Sequence, residues 1–272
     1  MKKILSTLLV AVFVLTLSAC SGAESNEAES TASQPIQNSE QTSASSSESP
    51  TQQASSDSQL SAEDTAHTGD SNILIAYFTW ADNTVVEDED AAIESALNHY
   101  SNMGDNGDYS VDAVASASVI APGNAAQLAN WIQQEVGGDL HSIVVEEPYP
   151  SIYNDCLERA SQEKADNARP ALTTHVENME DYEIVFLGFP NWWYTLPMPV
   201  LSFVEEYDWS GKTVIPFVTH GTGGLSATVR DLTAALPEDA TVLDPIGVYR
   251  LDVPHAQSDI QSWIAALELD LQ

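Results

Sequence analysis

An α/β fold, a doubly wound five-stranded parallel sheet in three layers, is what the last 200 or so residues predict. Two observations carry this expectation. Five short runs are apolar on both faces, as strands covered on both sides must be: Asn72 to Phe78, Leu140 to Glu146, Glu183 to Phe189, Thr213 to Thr219 and Thr241 to Val248. Segments of 3.6-residue periodicity alternate with them, and regular alternation of strand and helix is the mark of parallel crossovers.

The chain opens on another pattern. In MKKILSTLLVAVFVLTLSAC, Lys2 and Lys3 precede an apolar run from Ile4 to Leu17 and then small residues. Residues 1–20 read as a secretory signal, too short and wrongly flanked for a membrane span. Leu17-Ser18-Ala19-Cys20 resembles a bacterial lipobox. That resemblance implies lipidation of Cys20, which becomes the mature N-terminus and anchors an extracytoplasmic protein to the bacterial cell membrane. The other reading is an ordinary signal whose cleavage site contains a cysteine. Residues 21–70 hold no aromatic residue, no Lys and no Arg. Such a segment buries too little apolar surface to offset chain entropy, and it reads as a disordered tether with a reach of ~40 Å.

Residues 71–272 form the folded domain. With Cys20 in the anchor, Cys156 is left alone, so no intrachain disulfide supports it. The pattern around Cys156 is helical, and a buried, inert thiol is the expectation. The formal charge of −33 excludes nucleic acid and anionic headgroups as partners for the bulk of the surface.

The first strand should lead directly into its helix, but about forty residues intervene, 84–122. They include the acidic run Glu87 to Asp90 and the stretch DNGDYSVD, Asp105 to Asp112. Clustered carboxylates there raise a calcium site as one reading, although the spacing is not that of an EF-hand. A solvated insertion is the preferred one, with no metal. A helix resumes at PGNAAQLANWI, with Gly123 and Asn124 at its cap and Ala125, Leu128, Ala129, Ile132 and Val136 on its apolar face. Further helical faces are Val200, Phe203, Val204 and Tyr207, then Leu225, Val229, Leu232 and Leu236, then Ile260, Trp263, Ile264 and Leu267. In such sheets ligands lie outside the C-terminal strand ends, at the switch in strand order. The segments to inspect are therefore TWADNT (79–84), PNWWYTLP (190–197) and HGTGGLS (220–226).

In their order and spacing, IAYFT, VEEPYP, NARP, LGFPNWWYTLP and YDWSGKTVIPFVTHGTGG resemble the flavodoxin-like family of FMN proteins, including its lipoprotein and reductase-like branches. The resemblance implies sheet order 2-1-3-4-5 and FMN as cofactor. It implies a Ser/Thr-x-x-Gly-Asn-Thr phosphate loop, which here is split. Thr79, followed by Trp80, supplies the leading hydroxyl, and Gly123 and Asn124 match Gly-Asn, with Ala125 where Thr is usual. The alternative is Ala81 to Thr84, with Asp82 in place of Gly. The split puts the phosphate at a helix N-terminus and keeps a carboxylate away from it. Pro190, Asn191, Trp192, Trp193, Tyr194 and Thr195 would meet the flavin ring, with Trp192 or Trp193 stacked on it. Both tryptophans merely plugging the sheet's end is the plain alternative. Thr219, His220, Gly221, Gly223 and Gly224 would bring backbone to the pyrimidine end. No catalytic residue is assigned.

Three functions are compatible with this pattern. A reductase would pass electrons to a quinone or similar small acceptor over a ring face that the glycines leave bare. A one-electron carrier would dock its acidic surface on a redox protein. A binding module could have lost flavin altogether. His141, His175, His220 and Ser226 form no recognisable triad or metal spacing.

Overall fold

The computed structural model describes residues 72–102, 118–221 and 223–269. The signal, Cys20, the tether and Asp105 to Asp112 lie outside the described residues. Among the described residues no helix is long and apolar enough to cross a membrane, and no group of three or more His, Cys, Asp or Glu could hold a metal ion.

Strands β1 (Ile73–Tyr77), β2 (Asp139–Ser142), β3 (Ile184–Pro190), β4 (Thr213–His220), β5 (Thr241–Val242) and β6 (Ile246–Tyr249) form one sheet. Its order is β2-β1-β3-β4-β5, all pairs are parallel, and β6 also pairs with β4. The order is the expected one. The fifth position is filled by two short strands rather than one, because Pro245 lacks an amide hydrogen and interrupts the ladder between them.

Alternate residues feed two cores. Leu74, Ala76, Val185, Leu187, Val214 and Val218 face one side. There they meet α3 (Tyr153–Ala165), α4 (Met198–Glu206) and α5 (Thr228–Ala235) through Cys156, Val200, Phe203 and Leu232. Ile73, Ile75, Phe186, Ile215, Phe217 and Val248 face the other, covered by α2 (Asn124–Val136) and α6 (Gln257–Ala266) through Leu128, Ile132, Ile260 and Ile264. These are the three predicted layers. Cys156 is buried, and burial pushes its thiol far above the usual range, so it is inert at neutral pH.

The insertion is not wholly irregular. Its first half is α1 (Glu89–Asn102), which packs Ala92 into the core. Asp88 caps it: Ala91 N–H donates to Asp88 Oδ1 at 3.0 Å, and Glu89 and Asp90 occupy the first turn, where the helix dipole favours carboxylates. The acidic run read as a solvated stretch is thus a helix start. α1 leans on α3, where Ser95 Oγ accepts from Tyr153 N–H and His99 Nδ1 lies 2.8 Å from Asn154 Oδ1.

Arg159 of α3 holds the VEEPYP segment. Its guanidinium donates to Glu163, Pro148 O and Glu147 O and lies 4.1 Å over the Tyr149 ring. A groove of about 600 Å³ beside it is lined by Glu146, Glu163, Arg169 and Pro170.

Candidate functional site at the strand ends

β1 ends at Tyr77, and two residues later Thr79 is fully buried with no hydrogen-bond partner for its Oγ1. Gly123, the residue before α2, lies against it. A Cβ on Gly123 would fall 2.3 Å from Thr79 Oγ1, and the backbone there has φ +68°, a conformation that glycine adopts without penalty. α2 opens without a side-chain cap and without an acidic residue in its first turn. Its first helical bond runs from Gln127 N–H to Gly123 O. The amides of Asn124, Ala125 and Ala126 lie in the first turn, where the helix dipole adds positive potential. A buried hydroxyl and a helix N-terminus together fit a phosphate. The residues of the split reading, Thr79 and Gly123, are thus brought together although they are distant in sequence.

The alternative segment is engaged elsewhere. Ser142 Oγ donates to Asp82 Oδ2 at 2.6 Å, and burial holds the Asp82 carboxyl above its ordinary range. Burial and the neighbouring Asp82 push Tyr77 up to about 12. Asn83, buried, donates to Thr79 O and Ile143 O and accepts from Val145 N–H, so it ties β1 to β2. Thr84 Oγ1 donates to Tyr149 O. Trp80 is also structural at its side chain: the indole is buried and donates to Pro150 O.

The aromatic loop after β3 is a two-residue hairpin. Trp192 and Thr195 exchange both backbone hydrogen bonds at 3.0 Å, and the corner residues Trp193 and Tyr194 have φ +51° and +66°. Such a corner is normally Asn-Gly, because positive φ presses a Cβ against the backbone. Two bulky aromatics held there are a local cost, and such strain gathers at functional sites. Trp192 points inward, its ring edge-on to Phe78 at 5.4 Å and to Tyr149 at 5.2 Å. Its geometry is that of the plug reading. Trp193 donates its indole N–H to Leu157 O, while its own carbonyl accepts from Lys164 Nζ. Tyr194 is the most open, 66% exposed against 39% for Trp193. Thr195 is buried, and its hydroxyl donates to Asp231 Oδ2.

The glycine loop closes the row. Thr219, buried at the end of β4, accepts from Asn191 N–H, and the Asn191 side chain donates to Gly224 O at 2.6 Å. Pro190 is buried at the end of β3 beside it. Ala227 N–H donates to Tyr194 O. A Cβ on Gly223 would lie 3.4 Å from the Tyr194 ring. The glycine loop is therefore not bare of aromatics, as its own sequence implied: Tyr194 reaches it from the neighbouring loop. His220 Nδ1 lies 3.0 Å from Gly221 O, and Thr222 lies outside the described residues. Sequence reasoning passed over the end of the fifth strand. Tyr249 pairs in register with His220, and Arg250 next to it is buried against Gly221. The rule that sent attention to the other strand ends would have found them. His141 and His175 lie elsewhere, stacked on Phe203 and paired with Glu206 respectively.

The family model described as Flavodoxin matches residues 111–266, which is more than half of the chain. The chain belongs to the flavodoxin family. The matched stretch contains α2, the aromatic loop and the glycine loop, while β1 and Thr79 precede it. Among solved structures, one from Bacteroides eggerthii DSM 20697 is 24% identical, covering 74% of this chain and 99% of that one at a TM-score of 0.52. One from Bacteroides uniformis ATCC 8492 is 22% identical, covering 71% and 97% at 0.50. Both bear provisional flavoprotein names. A flavoprotein from Lactobacillus acidophilus NCFM, solved in complex with FMN, is 16% identical and covers 71% and 99%. Its TM-score of 0.42 is too loose to bear on this fold. No curated protein matches the chain.

Proposed function

We propose that this flavodoxin-family protein binds FMN without covalent attachment and acts as an oxidoreductase toward a quinone or similar small flat acceptor. The observation that carries the reading is the contact between the partnerless Thr79 hydroxyl and Gly123 at the N-terminus of α2. It offers an anion an O–H donor and a cluster of amides in one buried place. A chain this acidic would otherwise repel a phosphate dianion.

Bound FMN supplies a ring that accepts and returns two electrons and a proton. The protein's share is holding and shielding. Thr79 and the amides of Asn124, Ala125 and Ala126 hold the phosphate. Replacing the usual Thr by Ala125 removes one hydroxyl, about 1 kcal/mol if it is an ordinary hydrogen bond. Tyr194 and Trp193, raised on their strained corner, offer the stacking surface, with Trp192 beneath as support. Backbone groups of Gly221, Gly223 and Gly224 approach the ring's polar edge.

The acceptor side follows from placement. Cys20, as a lipidated N-terminus, and the tether of residues 21–70 keep the domain near membrane quinones. Mass spectrometry of the membrane-extracted protein is expected to find an acyl adduct on Cys20; a soluble form with a free thiol there overturns the anchor. The second reading, a carrier docking on a basic redox protein, is favoured by Tyr194 lying against Gly223 and by the −33 charge. Anaerobic reduction of the loaded protein, followed by mixing with a soluble quinone or a basic cytochrome, separates the two. Fast two-electron reoxidation by quinone supports the reductase. Reoxidation by the cytochrome alone, in one-electron steps, shows the carrier. A colourless protein that gains no flavin from excess FMN defeats both and leaves the flavin-free module.

A further inference from the structure

We infer that Arg250 sets the redox preference of the site, by holding a permanent positive charge against the end of the cofactor that becomes anionic on reduction. This rests on the FMN reading above. Parallel neighbours lie about 4.8 Å apart, so three steps from β1 through β3 and β4 to β6 span roughly 14 Å along the strand-end edge. With the phosphate at Thr79 and Gly123 beside β1, and the ring against the loops after β3 and β4, the pyrimidine end falls at β4 and β6. Arg250 stands there. It directly follows β6, and its N–H donates to His220 O at 2.8 Å. Its guanidinium lies 5.6 Å over the Tyr249 ring, and Nη1 is 2.9 Å from where a Cβ on Gly221 would be. An alanine at Gly221 would push the guanidinium aside; the glycine lets backbone, cation and ligand edge meet.

Arg250 is 2% exposed, the most buried of the described arginines. Charge interactions there are several times stronger than in water and little screened by salt. A guanidinium also stays protonated at any working pH.

Reduction takes two electrons and one proton from the reductant and leaves one added negative charge at the pyrimidine end. A fixed cation beside that end favours the reduced form over the oxidised one, which is tuning by charge near the ring nitrogens.

The test uses the full chain loaded with FMN, as wild type, Arg250→Met, Arg250→Lys and Gly221→Ala. Dissociation constants for oxidised FMN and two-electron midpoint potentials, titrated with dithionite and mediator dyes, are measured for each. Arg250→Met is expected to lose at least tenfold in preference for the reduced form, which lowers the potential by about 30 mV. Arg250→Lys should retain most of that preference. Gly221→Ala, which displaces the guanidinium without removing it, should lower the potential in the same direction even if Arg250→Met does not fold. Weaker binding of both redox states with an unchanged potential would make Arg250 a structural strut and overturn the inference. Wild type that takes up no FMN overturns the FMN reading itself, and this inference with it.

Discussion

Tyr194 sits at φ +66° with two-thirds of its surface in water, a position in which a bulky L-residue gains nothing for the fold. Glycine in its place relieves backbone strain of about 1–2 kcal/mol. Tyr194→Gly should therefore leave the domain as stable or raise its stability by about 1 kcal/mol. If Tyr194 stacks on the ring, the same change weakens FMN binding by about 1 kcal/mol, roughly fivefold. Denaturant melts and fluorescence titration read both; destabilisation with an unchanged dissociation constant would make the corner structural. Asp82 offers a second check at this scale. Burial raises its folded pKa, so ionisation costs stability: the fold is favoured by this group at low pH and loses that contribution as pH rises from the ordinary value of about 3.9 through the raised one. Asp82→Asn keeps an acceptor for Ser142 and removes the charge. It should raise the melting temperature at neutral pH, with the gain vanishing below about pH 4. An equal gain at all pH values would show that ionisation is not the cause.

At the scale of elements, the α2 N-terminus and the end of β1 act as one part. Gly123→Ala adds a Cβ 2.3 Å from Thr79 Oγ1 at a φ of +68°. Strain of ~1–2 kcal/mol is the minimum cost. Displacement of the helix start should weaken FMN binding more than tenfold, measured by titration, while circular dichroism retains the α/β signature. Binding within twofold of wild type would detach Gly123 from the phosphate site. Most elements were legible because burial on both faces leaves continuous apolar runs, as in Ile73 to Phe78 and Ile184 to Phe189. The juxtaposition of Thr79 with Gly123 was legible from family resemblance and helix electrostatics together. α1 was missed, although Asp88 followed by Glu89 and Asp90 is a cap signal, because the run read as charge rather than as a helix start. The Trp193–Tyr194 corner was not legible: local preference puts Asn-Gly at such turns, and tertiary bonds to Leu157 and Lys164 override it. Which aromatic faces solvent is likewise decided by those bonds.

The whole molecule is a heavily acidic domain whose strand ends gather a hydroxyl, a helix N-terminus, aromatics and a glycine loop on one edge. If its partner is a basic redox protein, the second-order electron-transfer rate should fall several-fold between low and physiological salt, as attraction between opposite charges is screened. With a neutral quinone the rate should be nearly independent of salt, and stopped-flow mixing at two ionic strengths distinguishes them. The central claim, that the cofactor is FMN and that Thr79 and α2 grip its phosphate, meets its most direct test in calorimetric titration of the apoprotein. FMN and riboflavin, which lacks the phosphate, are each titrated into wild type and Thr79→Val. The account predicts one FMN per chain, riboflavin at least a hundredfold weaker on the scale of two to three charge-assisted hydrogen bonds, and a smaller gap between the two ligands in Thr79→Val. Equal affinity for riboflavin and FMN, or no heat from either, would contradict it.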